Sequence, residues 1–169
     1  ITGNQIIGES VTDAATYGFI LRGDIQVSNI VKNKVENIDL GIWVRPGLSS
    51  TVCPSNNNIS SNQISPVNVA VKNDCTAGTV DASPNWWGSP LGPTSTQVYG
   101  SVTTATWCKD ANCDETISDA SNLLQSVIDA APAGSTIIVP AGTYTVPGGN
   151  TLEKDGVTII LETGVVIQN

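Results

Sequence analysis

Short apolar segments separated by Asn- and Gly-containing turns make up most of the chain. The segments are rich in Val, Ile and Thr, which is typical of β-strands. One stretch differs, because its apolar residues recur at the three- and four-residue spacing of a single helix face: Ala120, Leu123, Leu124, Val127, Ile128 and Ala131. Ser118 or Ser121 is expected to cap this helix, and Pro132 with Gly134 to end it. The pattern predicts an all-β chain with one short α-helix.

Two strand-forming segments follow the helix, residues 136–139 and 143–146, with a Pro-Ala-Gly turn between them. The apolar helix, the Pro-Gly break and the VPAGTY turn together resemble the N-terminal cap and first rung of right-handed parallel β-helices of the pectate-lyase-like superfamily. The resemblance implies that the helix covers the open end of the coil. An αβ unit of another α/β domain is the alternative interpretation.

Residues 1–107 contain a loose internal repeat. One series of apolar residues is spaced by 24, 29 and 27 positions: Ile6, Ile30, Ile59 and Trp86. A second series, which begins at Tyr17, Leu40 and Val67, interleaves with it at spacings of 23 and 27. Repeats of this length with three short strands each match the rungs of a parallel β-helix. We therefore predict a right-handed parallel β-helix with three-strand rungs and one short capping α-helix.

Asparagines recur beside the first series, at Asn4, Asn29, Asn58 and Asn85. They are expected either to stack as ladders in the turns or to serve only as turn formers. Asn58 also begins an Asn-Ile-Ser sequon, so it is a candidate for N-glycosylation.

Residues 80–107 resemble the closing segment of the same superfamily's bacterial and archaeal members, in which an NWWG…GP turn and a final strand end the coil. Trp86 and Trp87 point to opposite faces if they lie on a strand. One ring is therefore expected in the core and the other at the surface. The outer ring would either pack under a loop or stack on a sugar.

Four cysteines, without a Cys-x-x-Cys pair or any histidine, favour disulfides over zinc. Disulfides imply an oxidising location, extracellular or at the cell surface. Cys108 and Cys113 are expected to close a small loop before the helix. Cys53 and Cys75 lie 22 residues apart, about one rung, and are expected to link neighbouring rungs. Four cysteines allow three connectivities, so the other two pairings stay open.

The resemblance covers nearly the whole chain, but in permuted order. Residues 1–107 match the end of a coil, residues 108–115 form a connector, and residues 116–169 match a cap helix and first rungs. Both ends of the chain are then expected to be open rung edges. They are joined either within one molecule, which strains the connector, or between copies stacked head to tail. In the second arrangement one set of residues forms the subunit interface: Ile1, Ile6, Ile7, Val165, Val166 and Ile167.

Charge and composition narrow the function further. The 169 residues carry a net charge of −8, which argues against nucleic acid and anionic membranes as partners. No apolar run is long enough to span a bilayer, so no membrane insertion is expected. The superfamily's enzymes use an acidic cluster with a basic residue, or paired aspartates. This chain has two arginines, no histidine and no paired aspartates in a rung.

The order of the segments therefore predicts an extracellular structural subunit, not an enzyme. Copies of the subunit are expected to polymerise into a β-helical filament by adding strands to one another across the joint. No cofactor is expected, and glycan contact stays open. The alternatives are a secreted polysaccharide lyase or hydrolase and a carbohydrate-binding surface module.

Overall fold

A computed structural model of the chain describes residues 1–8, 16–48, 51–65, 67–146 and 152–169. Within these residues the chain is all-β with one short helix, α1 (Leu124–Ala130). The strands are β1 (Gln5–Ile7), β2 (Tyr17–Arg22), β3 (Asn29–Val31), β4 (Lys34–Glu36), β5 (Ile38–Arg45), β6 (Asn58–Ser60), β7 (Gln63–Ile64), β8 (Val67–Asn73), β9 (Val80–Asp81), β10 (Val98–Tyr99), β11 (Val102–Thr103), β12 (Trp107–Cys108), β13 (Thr116–Ile117), β14 (Thr136–Val139), β15 (Gly142–Thr145), β16 (Thr158–Leu161) and β17 (Val165–Gln168).

Most of these strands pair in parallel with a strand from the next part of the chain. One sheet has the order β1-β4-β7, a second has the order β10-β8-β5-β2, and β3 pairs with β6. The partners lie one repeat apart, as Gln5 pairs with Lys34 and Val80 with Val102. Residues 116–169 follow the same arrangement on a smaller scale, with β14 paired to β16 and β15 to β17. The antiparallel pair β12 and β13 connects the two parts.

The register of the ladders differs in part from the predicted repeat. Ile30 pairs with Ile59 as expected. Ile6 instead pairs with Val35, which lies in the strand after the predicted partner. The difference arises because Lys32, with a φ of 56°, turns the chain between two short strands that each place one aliphatic residue in the core. The spacing of apolar residues alone does not distinguish these two strands.

The inward residues of the ladders form two hydrophobic clusters. The first includes the largest buried side chains of residues 1–107: Ile30, Ile42, Ile59, Ile64 and Trp87. The second joins α1 to the strands that follow it: Leu91, Leu124, Ile128, Ile137, Val139 and Tyr144. Trp107 is half-buried and packs against both clusters. Trp87 is buried and Trp86 is half-buried, which agrees with the prediction that one ring of this pair lies in the core.

Both expected cysteine pairs are at disulfide distance. The Cα atoms of Cys53 and Cys75 lie 6.1 Å apart, and those of Cys108 and Cys113 lie 4.8 Å apart. The first pair joins the segments that follow β5 and β8, which are neighbours in one sheet, so it fastens one repeat to the next. The second pair closes the turn between β12 and β13.

The helix is shorter than its periodicity predicts, and no serine caps it. Leu123 occupies the N-cap position without a side-chain hydrogen bond. Ser121 instead donates its backbone N–H to Asp119 Oδ1 at 2.8 Å, and its carbonyl accepts the N–H of Thr145. Ser121 thus belongs to a turn that ties the entry of the helix to β15. Gly134, with a φ of 85°, turns the chain between α1 and β14.

Candidate functional site at the two ends of the strand ladders

The ladders end in two edges that no other described strand pairs with, which we call the head edge and the tail edge. The head edge is formed by β1 and β2, the outermost strands of their sheets. The tail edge is formed by β16 and β17, each of which is paired on one side. The two edges lie at opposite ends of the molecule. Strand β2 is separated from β10 by two strands, and the second cluster packs on Leu91 and Trp107, which flank β10 in the chain.

The head edge and the segments that flank its two strands leave aliphatic and aromatic side chains exposed to solvent: Ile1, Ile7, Tyr17, Ile20, Ile25 and Val27. Ile6 pairs with the fully buried Val35, so its side chain lies on the core side of the ladder. Ile7 is the next residue in the strand and lies on the other side. Of the three head residues predicted for an interface, Ile6 therefore continues the core, whereas Ile1 and Ile7 flank it.

The tail edge has four aliphatic residues that are between 37% and 52% exposed: Ile160, Leu161, Val166 and Ile167. Ile167 pairs with the buried Tyr144, so it lies on the core side of β17. Val165 lies on the same side and packs against the second cluster. Val166 lies on the opposite side. The core of residues 116–169 is therefore open at this end.

Asparagine side chains form a ladder through the turns of residues 1–107: Asn4, Asn33, Asn62 and Asn85. Asn4 donates through its backbone N–H and its Nδ2 to Asn33 Oδ1, each at 3.0 Å. Asn33 donates in the same way to Asn62 Oδ1 at 3.0 Å, and Asn62 to Asn85 Oδ1 at 2.9 Å. Each donor belongs to the earlier repeat and each acceptor to the later one, so the ladder has a direction.

The direction of the ladder leaves one acceptor at the head edge. Among the described residues no hydrogen bond reaches Asn4 Oδ1, whereas the corresponding oxygen of each later asparagine accepts two. A carboxamide oxygen accepts up to about two hydrogen bonds. The head edge can therefore accept N–H groups from a repeat that precedes it.

Two of the four asparagines predicted to stack lie outside this ladder. Asn29 and Asn58 pair with each other in β3 and β6. Asn58 is exposed at the start of its strand, and its backbone N–H donates to the carbonyl of Ser28. Its glycosylation stays a prediction from the sequon.

The outer face of the β10-β8-β5-β2 sheet carries aromatic and cationic side chains. The guanidinium of Arg45 lies 3.9 Å from the ring centroid of Trp43, and Tyr17 packs beside the same ring with 5.2 Å between centroids. Trp43 Nε1 donates to Asp74 at 2.7 Å, and Asp74 forms an ion pair with Lys72. The Trp43 ring is therefore held by its neighbours as a packed residue.

The junction between the two parts of the chain is closed. Leu124 and Ile128 of α1 are completely buried in the cluster that contains Leu91. Trp107 packs against the same cluster and donates its Nε1–H to the carbonyl of Pro90 at 2.9 Å. The helix thus lies at the end of its own chain's ladder. Strands β1 and β17 belong to different sheets, so they do not pair with each other within one chain.

Within the described part of the chain, no three His, Cys, Asp or Glu side chains are placed to hold a metal ion. None of its helices has the length and apolar character needed to cross a membrane.

The shifted pKa values have structural causes. The backbone N–H of Ser121 lowers the pKa of Asp119, a hydrogen bond from Lys109 to Glu115 raises the pKa of Lys109, and burial raises the pKa of Tyr144.

No family model matches the chain, and neither a curated protein nor a solved structure matches it. The resemblance to the pectate-lyase-like superfamily therefore stays a prediction from the cap helix, the VPAGTY turn and the NWWG segment. The two open edges are the features of the described residues that bear most directly on function.

Proposed function

We propose that this protein is an extracellular structural subunit. Its ladders form a right-handed parallel β-helix with three-strand rungs, and its copies stack head to tail into a filament. The tail edge of one copy adds strands to the head edge of the next, so that one set of residues meets at each joint: Ile1, Ile6, Ile7, Val165, Val166 and Ile167. The two cysteine pairs support an extracellular location, because disulfides persist in oxidising compartments.

The observation that carries the proposal is the direction of the asparagine ladder at the head edge. Asn4 Oδ1 is exposed at the head end of the ladder, where it can accept a donor from a preceding repeat. Contact between two head edges brings two such acceptors together without a donor. A tail edge supplies a preceding repeat and continues the parallel direction of every strand. Contact between unlike surfaces at opposite ends of a molecule leaves a free edge on every added copy, so it propagates into a filament unless the rotation closes a ring.

The exposed aliphatic side chains favour the same contact. A fully buried Val or Ile contributes about 1.5–3 kcal/mol relative to an exposed one. The tail edge has four aliphatic residues that are only about half covered in the isolated chain. Strand β16, with the sequence Thr-Ile-Ile-Leu, also carries neither the charge nor the proline with which sheets block a free edge. It is therefore a suitable strand for addition to another sheet.

Ile167→Asp tests the joint. Residue 167 lies on the core side of β17, so an aspartate there would be buried without a partner at every joint. We expect wild-type protein to form filaments in electron micrographs near neutral pH. The variant should stay monomeric by light scattering and keep the wild-type circular dichroism. Val166→Asp is the matched control, because residue 166 lies on the outward side and a charge there should reduce assembly less.

Two outcomes of this experiment would count against the proposal. Wild-type protein that stays monomeric over a wide range of concentrations would contradict the filament itself. Filaments of normal length and number from Ile167→Asp would show that β17 is not part of the joint.

A carbohydrate-binding surface module is the second candidate function. Tyr17 and Tyr99 favour it, because their rings are 40% and 59% exposed on one sheet and aromatic rings of this kind stack on sugars. Saturable glycan binding by a monomeric protein, measured by calorimetry, would support this candidate in place of the filament.

A further inference from the structure

Arg22 of the head-edge strand β2 and Arg45 of the neighbouring strand β5 have no acidic partner among the described residues. Arg22 of β2 pairs in register with Arg45 of β5, so two positive charges lie on neighbouring strands. Among the described residues neither guanidinium makes an ion pair or a hydrogen bond, and both Nε atoms are buried without an acceptor. Like charges directly opposite each other destabilise a sheet. A carboxylate from another chain would stabilise this pair, since arginine binds carboxylates through parallel hydrogen bonds.

Strand β2, which carries Arg22, has an inner and an outer face. Phe19 and Leu21 lie on the inner face, because both pair with buried residues of β5. Ile20 and Arg22 lie on the outer face, where Ile20 is 46% exposed. A strand that adds to the free side of β2 must present its own apolar residues to the same inner face.

Strand β16 of the tail edge alternates in the same way. Ile159 and Leu161 lie on its inner face, because both pair with buried residues of β14. Ile160 lies on its outer face and is 48% exposed. Glu162 follows the strand directly and is the next outward residue in the alternation.

A parallel addition of β16 to β2 has one register that suits the outer faces. With the inner faces aligned, this register places Ile160 against the exposed Ile20 and Glu162 against Arg22. A shift of two residues in one direction places Ile160 against Arg22. The same shift in the other direction places Glu162 against Ile20. Both shifts set an aliphatic side chain against a charge, which leaves the charge unpaired.

We propose that β16 of one copy pairs in parallel with β2 of the next, with Ile159 opposite Phe19, and that Glu162 forms an ion pair with Arg22 and Arg45. The inference rests on the proposed head-to-tail filament and specifies its register and its charged contact. In an alternative register, β17 would form its hydrogen bonds along β1. That register would not place β16 beside β2, and it would not bring a carboxylate to the arginines.

Glu162 is held in place for this contact within its own chain. One of its oxygens accepts the hydroxyl of Ser95 at 2.9 Å, and both oxygens accept the backbone N–H of Ser95 at 3.0 Å. A carboxylate has about four acceptor positions, so it retains capacity for a guanidinium. Arg45 in turn is fixed by its stacking on Trp43. Partners that are already oriented lose less side-chain entropy when they pair.

The distribution of charge along the chain favours the same contact. Residues 1–107 contain five Lys/Arg and seven Asp/Glu, a net charge of −2, whereas residues 108–169 contain two Lys/Arg and eight Asp/Glu, a net charge of −6. Head-to-tail contact brings the acidic part of one copy to the arginines of the next. Complementary charges of this kind accelerate association, and added salt weakens the effect.

Charge reversal at the two positions tests the pair. Arg22→Glu alone and Glu162→Arg alone should each slow elongation by at least about tenfold, because every joint then holds like charges. In an equimolar mixture each variant's tail is complementary to the other variant's head. The mixture should therefore elongate at close to the wild-type rate, with the two variants alternating. Light scattering measures the rate, and mass spectrometry of pelleted filaments measures the ratio of the variants.

Ser95→Ala is the control for a role of Glu162 within its own chain. It removes the hydroxyl contact and keeps both charges, so it should elongate like the wild type. Circular dichroism of each variant checks the fold. If both single variants elongate normally, the register is wrong although the filament stands. If the two single variants and their mixture all elongate slowly, the two residues do not contact each other and the inference is overturned. Absence of wild-type filaments would overturn the proposed function instead.

Discussion

The junction at α1 and the tail edge use the same kinds of residue but differ in what covers them. At the junction, Leu124 and Ile128 are fully buried in the second cluster. At the tail edge, Leu161 and Val166 are about half exposed although they belong to equally aliphatic strands. The difference is that the chain supplies a helix to cover the first site, whereas none of its described elements covers the second. On our proposal, a second copy of the chain supplies that cover.

Ile128→Ala should show the largest effect on a single copy. The side chain is fully buried in the second cluster, so its removal leaves a cavity and should cost about 2–5 kcal/mol of unfolding free energy. Urea unfolding of dilute protein measures this cost. Ile160→Ala is the matched control at the tail edge, where the side chain is half exposed. It should change the free energy of unfolding by less than about 1 kcal/mol and should slow elongation.

Equal losses of stability at residues 128 and 160 would remove the distinction between a covered junction and an open edge. A normal elongation rate for Ile160→Ala would show that β16 is not covered by a second copy.

Asn62→Ala and Asn4→Ala apply the same comparison within the asparagine ladder, with a smaller effect. Asn62 is almost fully buried, and its Oδ1 accepts the backbone N–H and the Nδ2 of Asn33. Its removal leaves these donors unsatisfied and should cost about 1–3 kcal/mol in urea unfolding. Asn4 lies at the open end, so Asn4→Ala should cost less stability and should slow elongation. Elongation unaffected by Asn4→Ala would contradict continuation of the ladder across the joint.

The ladder also shows what the sequence predicts and what it does not. Many of the strands follow from local patterns, as does the burial of one ring of the Trp86–Trp87 pair, although the pattern does not say which ring. The two cysteine pairs are expected from their spacing, with the other two connectivities open. Ladder membership depends on register. Asn33 and Asn62 each follow a residue with a positive φ, and apolar spacing does not predict such a turn. A usable signal was nevertheless present, since each ladder asparagine precedes an inward apolar residue by two positions: Ile6, Val35, Ile64 and Trp87.

The two edges could be predicted only in part. The order of the segments predicts six interface residues, but their faces follow from the strand pairing, which sets Ile6 and Ile167 on the core side. Arg22 and Glu162 carry no local signal at all. Their relation depends on the register between two copies, which joins residues from opposite ends of the chain. A pattern read along one chain does not contain that register.

The smallest effect is expected in the turn before α1. Asp119 Oδ1 accepts the N–H of Ser121 at 2.8 Å, and this bond lowers the pKa of the carboxyl below its usual range. A carboxyl whose pKa is lowered by folding stabilises the folded state above its unfolded pKa. That contribution is lost as the pH falls through the folded-state pKa. Asp119→Asn should therefore lower the thermal midpoint slightly at neutral pH and should equal the wild type once the pH is below the folded-state pKa of Asp119.

Asp155→Asn is the control for this change in net charge, because Asp155 is exposed and makes no hydrogen bond among the described residues. It should leave the thermal midpoint unchanged at both pH values. An equal decrease for the two variants would show that net charge, rather than the bond to Ser121, causes the effect. Because the turn belongs to the closed junction, Asp119→Asn should leave elongation unchanged, whereas Glu162→Arg should slow elongation.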